Sequence, residues 1–182
     1  MREAVREQIK GTMIGPPHGS WSWNTFGEFL RELEAVPKAT HVAPLVGHGA
    51  IRACAMGFAN RTPTPDELAD MRNYAAEAME AGAFGMSTGL VYPPGVYCKA
   101  EELIEVSKVV ASSGGIYATH MRGEASTVVE SVRESLRIGG EVAIPVQISH
   151  HKAAGRDNWE KVHVTYRLFQ EVARAHDVTC DI

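Results

Sequence analysis

The sequence predicts an α/β fold, namely a partial (β/α)8 TIM barrel of about five parallel strands with alternating helices. Short apolar segments alternate with amphipathic helical segments at intervals of roughly 30–40 residues, as in βαβ units. Polar residues sit at the ends of the predicted strands: His48, Ser87/Thr88, His120, Ser149/His150 and Asp181. An open doubly wound sheet concentrates its site at one switch point, whereas a barrel draws its site from many strand ends. A complete barrel needs about 200 residues or more, so the 182-residue chain is predicted to be part of one.

Composition is that of an ordinary globular protein and excludes several classes of partner. The chain is 45% hydrophobic and 22% charged, with a net charge of −4, so no basic field indicates nucleic acid or an acidic membrane. Its apolar runs are too short to span a bilayer, and its charged start is unlike a secretory signal. The three cysteines are odd in number and widely spaced, which argues against a disulfide framework. We therefore predict a cytoplasmic protein.

The first part of the chain is predicted to be irregular over residues 1–24, with a short helix at Met1–Lys10 as one reading. Thr25 has the properties of an N-cap for a helix over residues 26–35, with Glu28 as its capping-box partner. Residues 41–47 then form a predicted strand, and residues 48–63 a predicted loop. Thr64 is a second N-cap, for a helix that Gly82 ends.

The second part repeats the same pattern more regularly. Predicted strands cover residues 84–88, 116–120, 144–150 and 178–182, and predicted helices cover residues 99–112, 124–138 and 159–175. Asn158 is the predicted N-cap of the last helix. The residues predicted to form its buried face are Val162, Tyr166, Phe169 and Ala173.

Two predicted neighbouring strands each end in histidine, His120 on the first and His150 with His151 on the second. Neighbouring parallel strands lie roughly 5 Å apart, so one histidine from each strand end can reach the same metal ion. Neutral imidazoles are good zinc ligands. Side chains alternate along a strand, so only one of His150 and His151 can face the barrel axis.

Motifs spread over most of the chain resemble those of the N-acyl-D-amino-acid deacylases (D-aminoacylases), which belong to the metal-dependent amidohydrolase superfamily. They follow the family's order from about Trp21 to the last residue. The motifs are G-H-G-A-I-R (Gly47–Arg52), G-A-F-G-M-S-T-G-L-V-Y-P-P-G (Gly82–Gly95), Y-A-T-H-M-R-G-E (Tyr117–Glu124), Q-I-S-H-H-K-A-A-G (Gln147–Gly155) and V-T-C-D-I (Val178–Ile182).

The resemblance implies a barrel of amidohydrolase type, with residues 1–182 as a single segment of it and β-α units over residues 41–182. It implies hydrolysis of the amide bond of N-acyl-D-amino acids, with zinc held by His120 and His150. Tyr92 and Lys152 match residues expected to hold the substrate carboxylate. The motif also implies that His150, rather than His151, is the metal ligand, and that His151 is structural.

Departures from the family pattern limit what this chain is expected to do. The family's H-x-H metal pair and its cysteine ligand have no counterpart here, and its catalytic aspartate would lie beyond Ile182. We therefore expect no general base in this chain, and either self-association or a complementary barrel half. The alternatives are a non-catalytic or split half-barrel and a cyclic amidase of dihydroorotase or hydantoinase type.

Several residues keep two interpretations. His48 either lines the substrate pocket, the role we predict for it, or makes hydrogen bonds within its loop. Arg122 and Glu124 either orient His120 as a pair or begin the next helix. Asp181 is either a site residue at a strand end or a residue without a role in the site.

Overall fold

A computed structural model describes residues 23–182, so the predicted helix at Met1–Lys10 and most of the irregular stretch lie outside the described residues. We number the elements in chain order. The helices are α1 (Phe26–Ala35), α2 (His48–Met56), α3 (Pro65–Glu80), α4 (Ala100–Ser112), α5 (Val128–Val142) and α6 (Lys161–Val172). The strands are β1 (Val46–Gly47), β2 (Gly85–Gly89), β3 (Ile116–His120), β4 (Val146–Ile148) and β5 (Val178–Cys180).

The five strands form one parallel sheet in the order β1-β2-β3-β4-β5. The order follows the chain without a reversal, unlike that of a doubly wound sheet. Because crossovers between parallel strands are right-handed, an unreversed order places the connecting helices on one side of the sheet. This arrangement is that of a barrel wall, and it confirms the predicted fold class.

The two faces of the sheet differ in chemistry. One register row contains Met86, Tyr117 and Val146, all buried in the hydrophobic core. The alternate row contains the small or polar residues Ser87, Ala118, Gln147 and Thr179. Since side chains alternate between faces along a strand, the apolar row lies under the helices and the polar row forms the inner wall of the barrel segment.

Consecutive helices pack against each other in a single outer layer, α2 on α3, α3 on α4, α4 on α5 and α5 on α6. Their inward residues recur at helical spacing, as Leu103, Val106 and Val110 do in α4, where all three are fully buried. The core therefore lies between this layer and the apolar row of the sheet. Within residues 23–182, no helix is long and apolar enough to cross a membrane.

Both predicted N-caps are confirmed, and each forms a capping box. Thr25 Oγ1 accepts from the backbone N–H of Glu28, and Thr64 Oγ1 accepts from that of Glu67 at 3.2 Å. The Glu67 carboxylate also accepts two hydrogen bonds from Arg61, at 2.6 and 2.7 Å. These bonds from Arg61, together with the Thr64 backbone N–H, lower the pKa of Glu67 to about 2, so the start of α3 keeps its negative charge at neutral pH.

The predicted loop after β1 is wrong in its first part, because residues 48–56 form helix α2. No side chain caps this helix, since Gly47 occupies the N-cap position. Its buried face includes Ile51 and Ala55, together with the polar residues His48 and Arg52. The missing cap and the polar buried face explain why the pattern indicated a loop.

Helices α5 and α6 also differ from the prediction. Helix α5 begins at Val128 rather than at Glu124. Asn158 does not cap α6, because its side chain bonds to Ala154 O and Lys161 Nζ and it lies in a 3-10 turn. The predicted buried face of α6 is right for Phe169 and wrong for the other three residues. Val162, Tyr166 and Ala173 are exposed, and the residues facing the core are Thr165, Leu168, Phe169 and Val172.

Candidate metal centre

His120 and His150 converge at the carboxyl ends of β3 and β4. His120 is the last residue of β3, and His150 lies two residues beyond the end of β4, the neighbouring strand. His120 Nδ1 is 2.8 Å from His150 Nε2, and the ring centroids are 4.5 Å apart. An ion at about 2.0–2.1 Å from both nitrogens would need them only slightly farther apart than they are. The pair therefore fits a shared metal ion.

The backbone at His150 is held in an uncommon conformation. Its φ of 41° is left-handed, which non-glycine residues rarely adopt. The turn is fixed from both sides, because Ser149 N donates to Thr119 O at 3.0 Å and His150 N donates to Asp181 Oδ2 at 2.9 Å. Asp181, which follows β5, thus supports the turn that aims His150 at His120.

Asp181 is well suited to this role because its carboxylate is anionic. The backbone N–H of His150, followed by the side chain of Gln147, holds the pKa of Asp181 below its ordinary value. Gln147 Nε2 donates to Asp181 Oδ1 at 2.7 Å. The strand-end interpretation of Asp181 is therefore the one that its contacts favour.

Glu124 and Lys152 complete a polar cluster beside the two histidines. Glu124 Oε1 lies 2.7 Å from His150 Nδ1, and Glu124 Oε2 lies 2.6 Å from Lys152 Nζ. Among the described residues, the ligand atoms of His120, Glu124 and His150 lie within 4.8 Å of one another. Two imidazoles suit zinc, and a carboxylate beside them can either bind the ion or support a ligand histidine.

The charge states of this cluster also suit a metal. Partial burial lowers the pKa of His120, so its imidazole is neutral at pH 7. Burial alone would raise the pKa of Glu124, but Lys152 and the two histidines together hold it below the ordinary value. A neutral imidazole and an ionised carboxylate are the forms that bind cations.

Tyr92 lies next to the histidine pair, with its ring centroid 5.4 Å from that of His120. Its side chain is exposed, so its hydroxyl is accessible to a ligand. The structure thus brings together four predicted site residues, His120, His150, Tyr92 and Lys152.

Arg122 fixes the loop that carries Tyr92, rather than pairing with Glu124. Its guanidinium donates to Val96 O at 3.1 Å and to Cys98 O at 3.0 Å, and it forms a two-point ion pair with Glu134 of α5. Neither predicted interpretation of Arg122 and Glu124 holds in full. They form no pair, and Glu124 precedes the helix by four residues.

His48, the fifth predicted site residue, lies apart from the histidine pair and has different neighbours. Its side chain is fully buried at the start of α2, and its Nε2 lies 2.9 Å from Glu102 Oε1. Glu102 also accepts from Arg52, which is fully buried as well. These contacts favour the hydrogen-bonding interpretation of His48, and its role in substrate binding stays a prediction.

His48, Cys98 and Glu102 form a second group with metal-ligating side chains, all buried. Its electrostatics disfavour a cation. Desolvation, followed by the negative charge of Glu102, raises the pKa of the Cys98 thiol to about 11, so it stays protonated. The negative charge of Glu102 is already balanced by the guanidinium of Arg52, which is fully buried in contact with it. The contacts of Glu102 with Arg52 and His48 therefore form a buried ion-pair network.

His151 points away from the candidate site. Its ring is buried and packs edge-on against Phe169 of α6, with centroids 5.2 Å apart. It is therefore placed as a structural residue, the role expected for it.

The sequence indicated a supporting role for Glu124, as a partner of Arg122 beside His120, but not its contacts with His150 and Lys152. A carboxylate four residues after a histidine at a strand end is a usable signal for a supporting residue. Its contacts with His150 and Lys152 come from the next strand end, so they became visible only in the folded chain.

The chain is similar in sequence to D-aminoacylases and N-acyl-D-amino-acid deacylases. The chain is 42% identical over 163 residues to a D-aminoacylase of Alcaligenes xylosoxydans xylosoxydans, covering 90% of the chain and 34% of that protein. It is 39% identical over 170 residues to an N-acyl-D-aspartate deacylase of the same organism, covering 93% and 34%. No protein-family model matches the chain.

Solved structures show the same relationship. A D-aminoacylase crystal structure, described as defining a subset of amidohydrolases, superposes with a TM-score of 0.85 at 38% identity, covering 93% of this chain and 37% of that one. An N-acyl-D-glutamate deacylase from Bordetella bronchiseptica, complexed with zinc and a phosphonate inhibitor, gives 0.83 at 33% identity, covering 87% and 34%. The chain spans about a third of the length of the relatives it matches.

Proposed function

Because the chain is a homologue of D-aminoacylases and N-acyl-D-amino-acid deacylases over nine tenths of its length, we propose that it forms part of the active site of a zinc-dependent amidohydrolase. The reaction is hydrolysis of the amide bond of N-acyl-D-amino acids. The observation that carries the proposal is the convergence of His120 Nδ1 and His150 Nε2 at 2.8 Å on two neighbouring strand ends. The zinc complex of the Bordetella deacylase supports the choice of metal.

Each residue of the cluster has a role in this proposal. His120 and His150 hold the zinc, which supplies Lewis-acid polarisation of the scissile carbonyl and a water of lowered pKa. Lys152 and Tyr92 bind the substrate carboxylate and fix the amide in a reactive position. The general base belongs to a part of the barrel outside this chain.

We also propose that residues 1–182 act as a single segment of the catalytic barrel, with β-α units over residues 41–182. The spacing of Cys54, Cys98 and Cys180 supports a cytoplasmic location.

The activity is tested by supplying the rest of the barrel. The chain, mixed with a fragment of the Alcaligenes D-aminoacylase that covers the remaining two thirds, is expected to hydrolyse N-acetyl-D-leucine and to leave N-acetyl-L-leucine intact. Substitution Lys152→Met should raise KM strongly, because the substrate carboxylate loses its cation. Hydrolysis of a cyclic imide instead would favour the cyclic amidase alternative. Zinc binding without any hydrolysis would favour a non-catalytic half-barrel.

We further propose that the isolated chain self-associates or requires a complementary barrel half. Strands β1 and β5 each pair on one side only within the five-stranded sheet, so unpaired backbone groups are presented at both edges. Light scattering after size exclusion is expected to show oligomers that the complementary fragment dissociates. A monodisperse monomer with a cooperative thermal transition would contradict this expectation.

A further inference from the structure

We infer that Glu124 is a positioning residue that couples the metal ligand His150 to the carboxylate-binding Lys152. The inference rests on the proposed metal site and adds to it a residue that contacts neither the reacting bond nor the substrate. In this arrangement Glu124 Oε1 accepts the Nδ1 proton of His150, and Glu124 Oε2 holds the ammonium of Lys152.

The three side chains form a closed triangle of short contacts. Glu124 Oε1 is 2.7 Å from His150 Nδ1, Glu124 Oε2 is 2.6 Å from Lys152 Nζ, and Lys152 Nζ is 2.9 Å from His150 Nδ1. Oε1 is buried, and within residues 23–182 it receives no well-aligned hydrogen bond. A buried carboxylate oxygen without a donor is costly, so Oε1 is a site where a donor would stabilise the cluster.

His150 Nδ1 can form a hydrogen bond with only one of its two neighbours, Glu124 Oε1 or Lys152 Nζ, at a time. As an acceptor it takes a hydrogen bond from Lys152, and its proton is then on Nε2. As a donor it gives its proton to Glu124 Oε1, and its Nε2 then carries a free lone pair. Only the second tautomer leaves Nε2 available as a metal ligand.

The metal-binding tautomer therefore changes the partners of both charged residues. Oε1 gains the donor it lacks, and Lys152 loses its acceptor on the imidazole. Lys152 keeps Glu124 Oε2 and the carbonyl oxygen of His150, which accepts from Nζ at 3.0 Å. Half-exposed on its flexible stem, the ammonium can then turn towards a substrate carboxylate.

The charge of Glu124 acts in the same direction as its hydrogen bond. Lys152 places a positive charge beside the ligand His150, and that charge disfavours a nearby cation. The carboxylate of Glu124 offsets it at contact distance. The backbone of Glu124 is also bonded to the loop after Lys152, since Ala154 N donates to Glu124 O at 2.7 Å.

Zinc affinity of the 182-residue chain, measured by competition with a chromophoric chelator, tests the inference. Glu124→Ala is expected to weaken zinc binding by about 10–100-fold, the usual effect of losing a carboxylate partner of a metal-bound histidine. Glu124→Gln retains an acceptor oxygen but no charge, so a smaller loss is expected. Glu160→Gln, which removes the same charge from a side chain that is 95% exposed, should leave the affinity unchanged.

A second readout reports the tautomer directly. Long-range proton–nitrogen NMR spectra of the zinc-loaded chain should show the His150 proton on Nδ1, shifted downfield by its bond to Glu124, and Glu124→Ala should abolish that shift. Wild-type affinity in both Glu124 variants, with binding lost in His150→Ala, would overturn the role of Glu124 and leave the metal site intact. Failure of the wild type to bind zinc, or wild-type affinity in His150→Ala, would overturn the metal site and the inference with it.

Discussion

Replacing Glu102 by alanine is expected to destabilise the chain by about 3–5 kcal/mol, the usual cost of removing one partner from a buried ion pair. Glu102 is 5% exposed, and its carboxylate contacts both His48 and Arg52, which are fully buried. Without it the guanidinium of Arg52 keeps its bonds to the carbonyl oxygens of Ala59 and Arg61 but loses its counter-charge. Urea denaturation followed by circular dichroism measures the change in free energy of unfolding.

A neighbouring glutamate provides the control. Glu101 lies beside Glu102 on α4 but is largely exposed, and it pairs with Arg137 at 3.1 Å on the surface. Glu101→Ala should cost less than about 1 kcal/mol, as is typical of exposed ion pairs. Equal costs for the two variants would contradict the account of a buried network. The double variant Arg52→Met/Glu102→Met should recover part of the loss, because no unpaired charge remains.

Substitution of either histidine of the pair is expected to lower the zinc affinity of the chain by more than the roughly 10–100-fold that a supporting residue costs. In the proposed site, His120→Ala and His150→Ala each remove a ligand nitrogen, and the remaining donors are then too few to hold the ion. Exhaustive dialysis followed by metal analysis should find zinc in the wild type and none in either variant.

His163 is the matched control for this prediction. Its side chain is 71% exposed on α6, so His163→Ala removes an imidazole without affecting the candidate site. It should retain zinc at the wild-type level. Zinc retained by both His120→Ala and His150→Ala would contradict the assignment of the pair and direct attention to other donors.

Much of the fold could be predicted because its signals are local. Strand β3 has the predicted bounds, since the apolar run from Ile116 follows the Gly114-Gly115 stop. Helix α3 has the predicted start because Thr64, Pro65 and Glu67 form a complete cap within four residues. The direction and order of the strands follow from alternating β and α segments joined by right-handed crossovers.

Helix α2 could not be predicted because its stability comes from distant partners. His48 and Arg52 fell in the predicted loop, whereas in the fold they lie on the buried face of the helix and both contact Glu102 of α4. The buried face of α6 also depends on distant partners. It packs against α5, and its Phe169 contacts His151.

Part of the candidate site could likewise be predicted from the sequence, and part could not. The convergence of His120 and His150 was predictable, because strand ends of neighbouring parallel strands meet at one edge. The contacts of Glu124 and Asp181 with the turn at His150 were not predictable, because they exist only after the strands have paired.

X-ray absorption at the zinc edge of the zinc-loaded chain tests the central claim most directly. The account predicts nitrogen and oxygen scatterers at about 2.0–2.1 Å, with the imidazole pattern of two histidines and no sulfur. A sulfur scatterer at about 2.3 Å would place the metal at Cys98 or another thiol, and it would contradict a metal centre formed by His120 and His150.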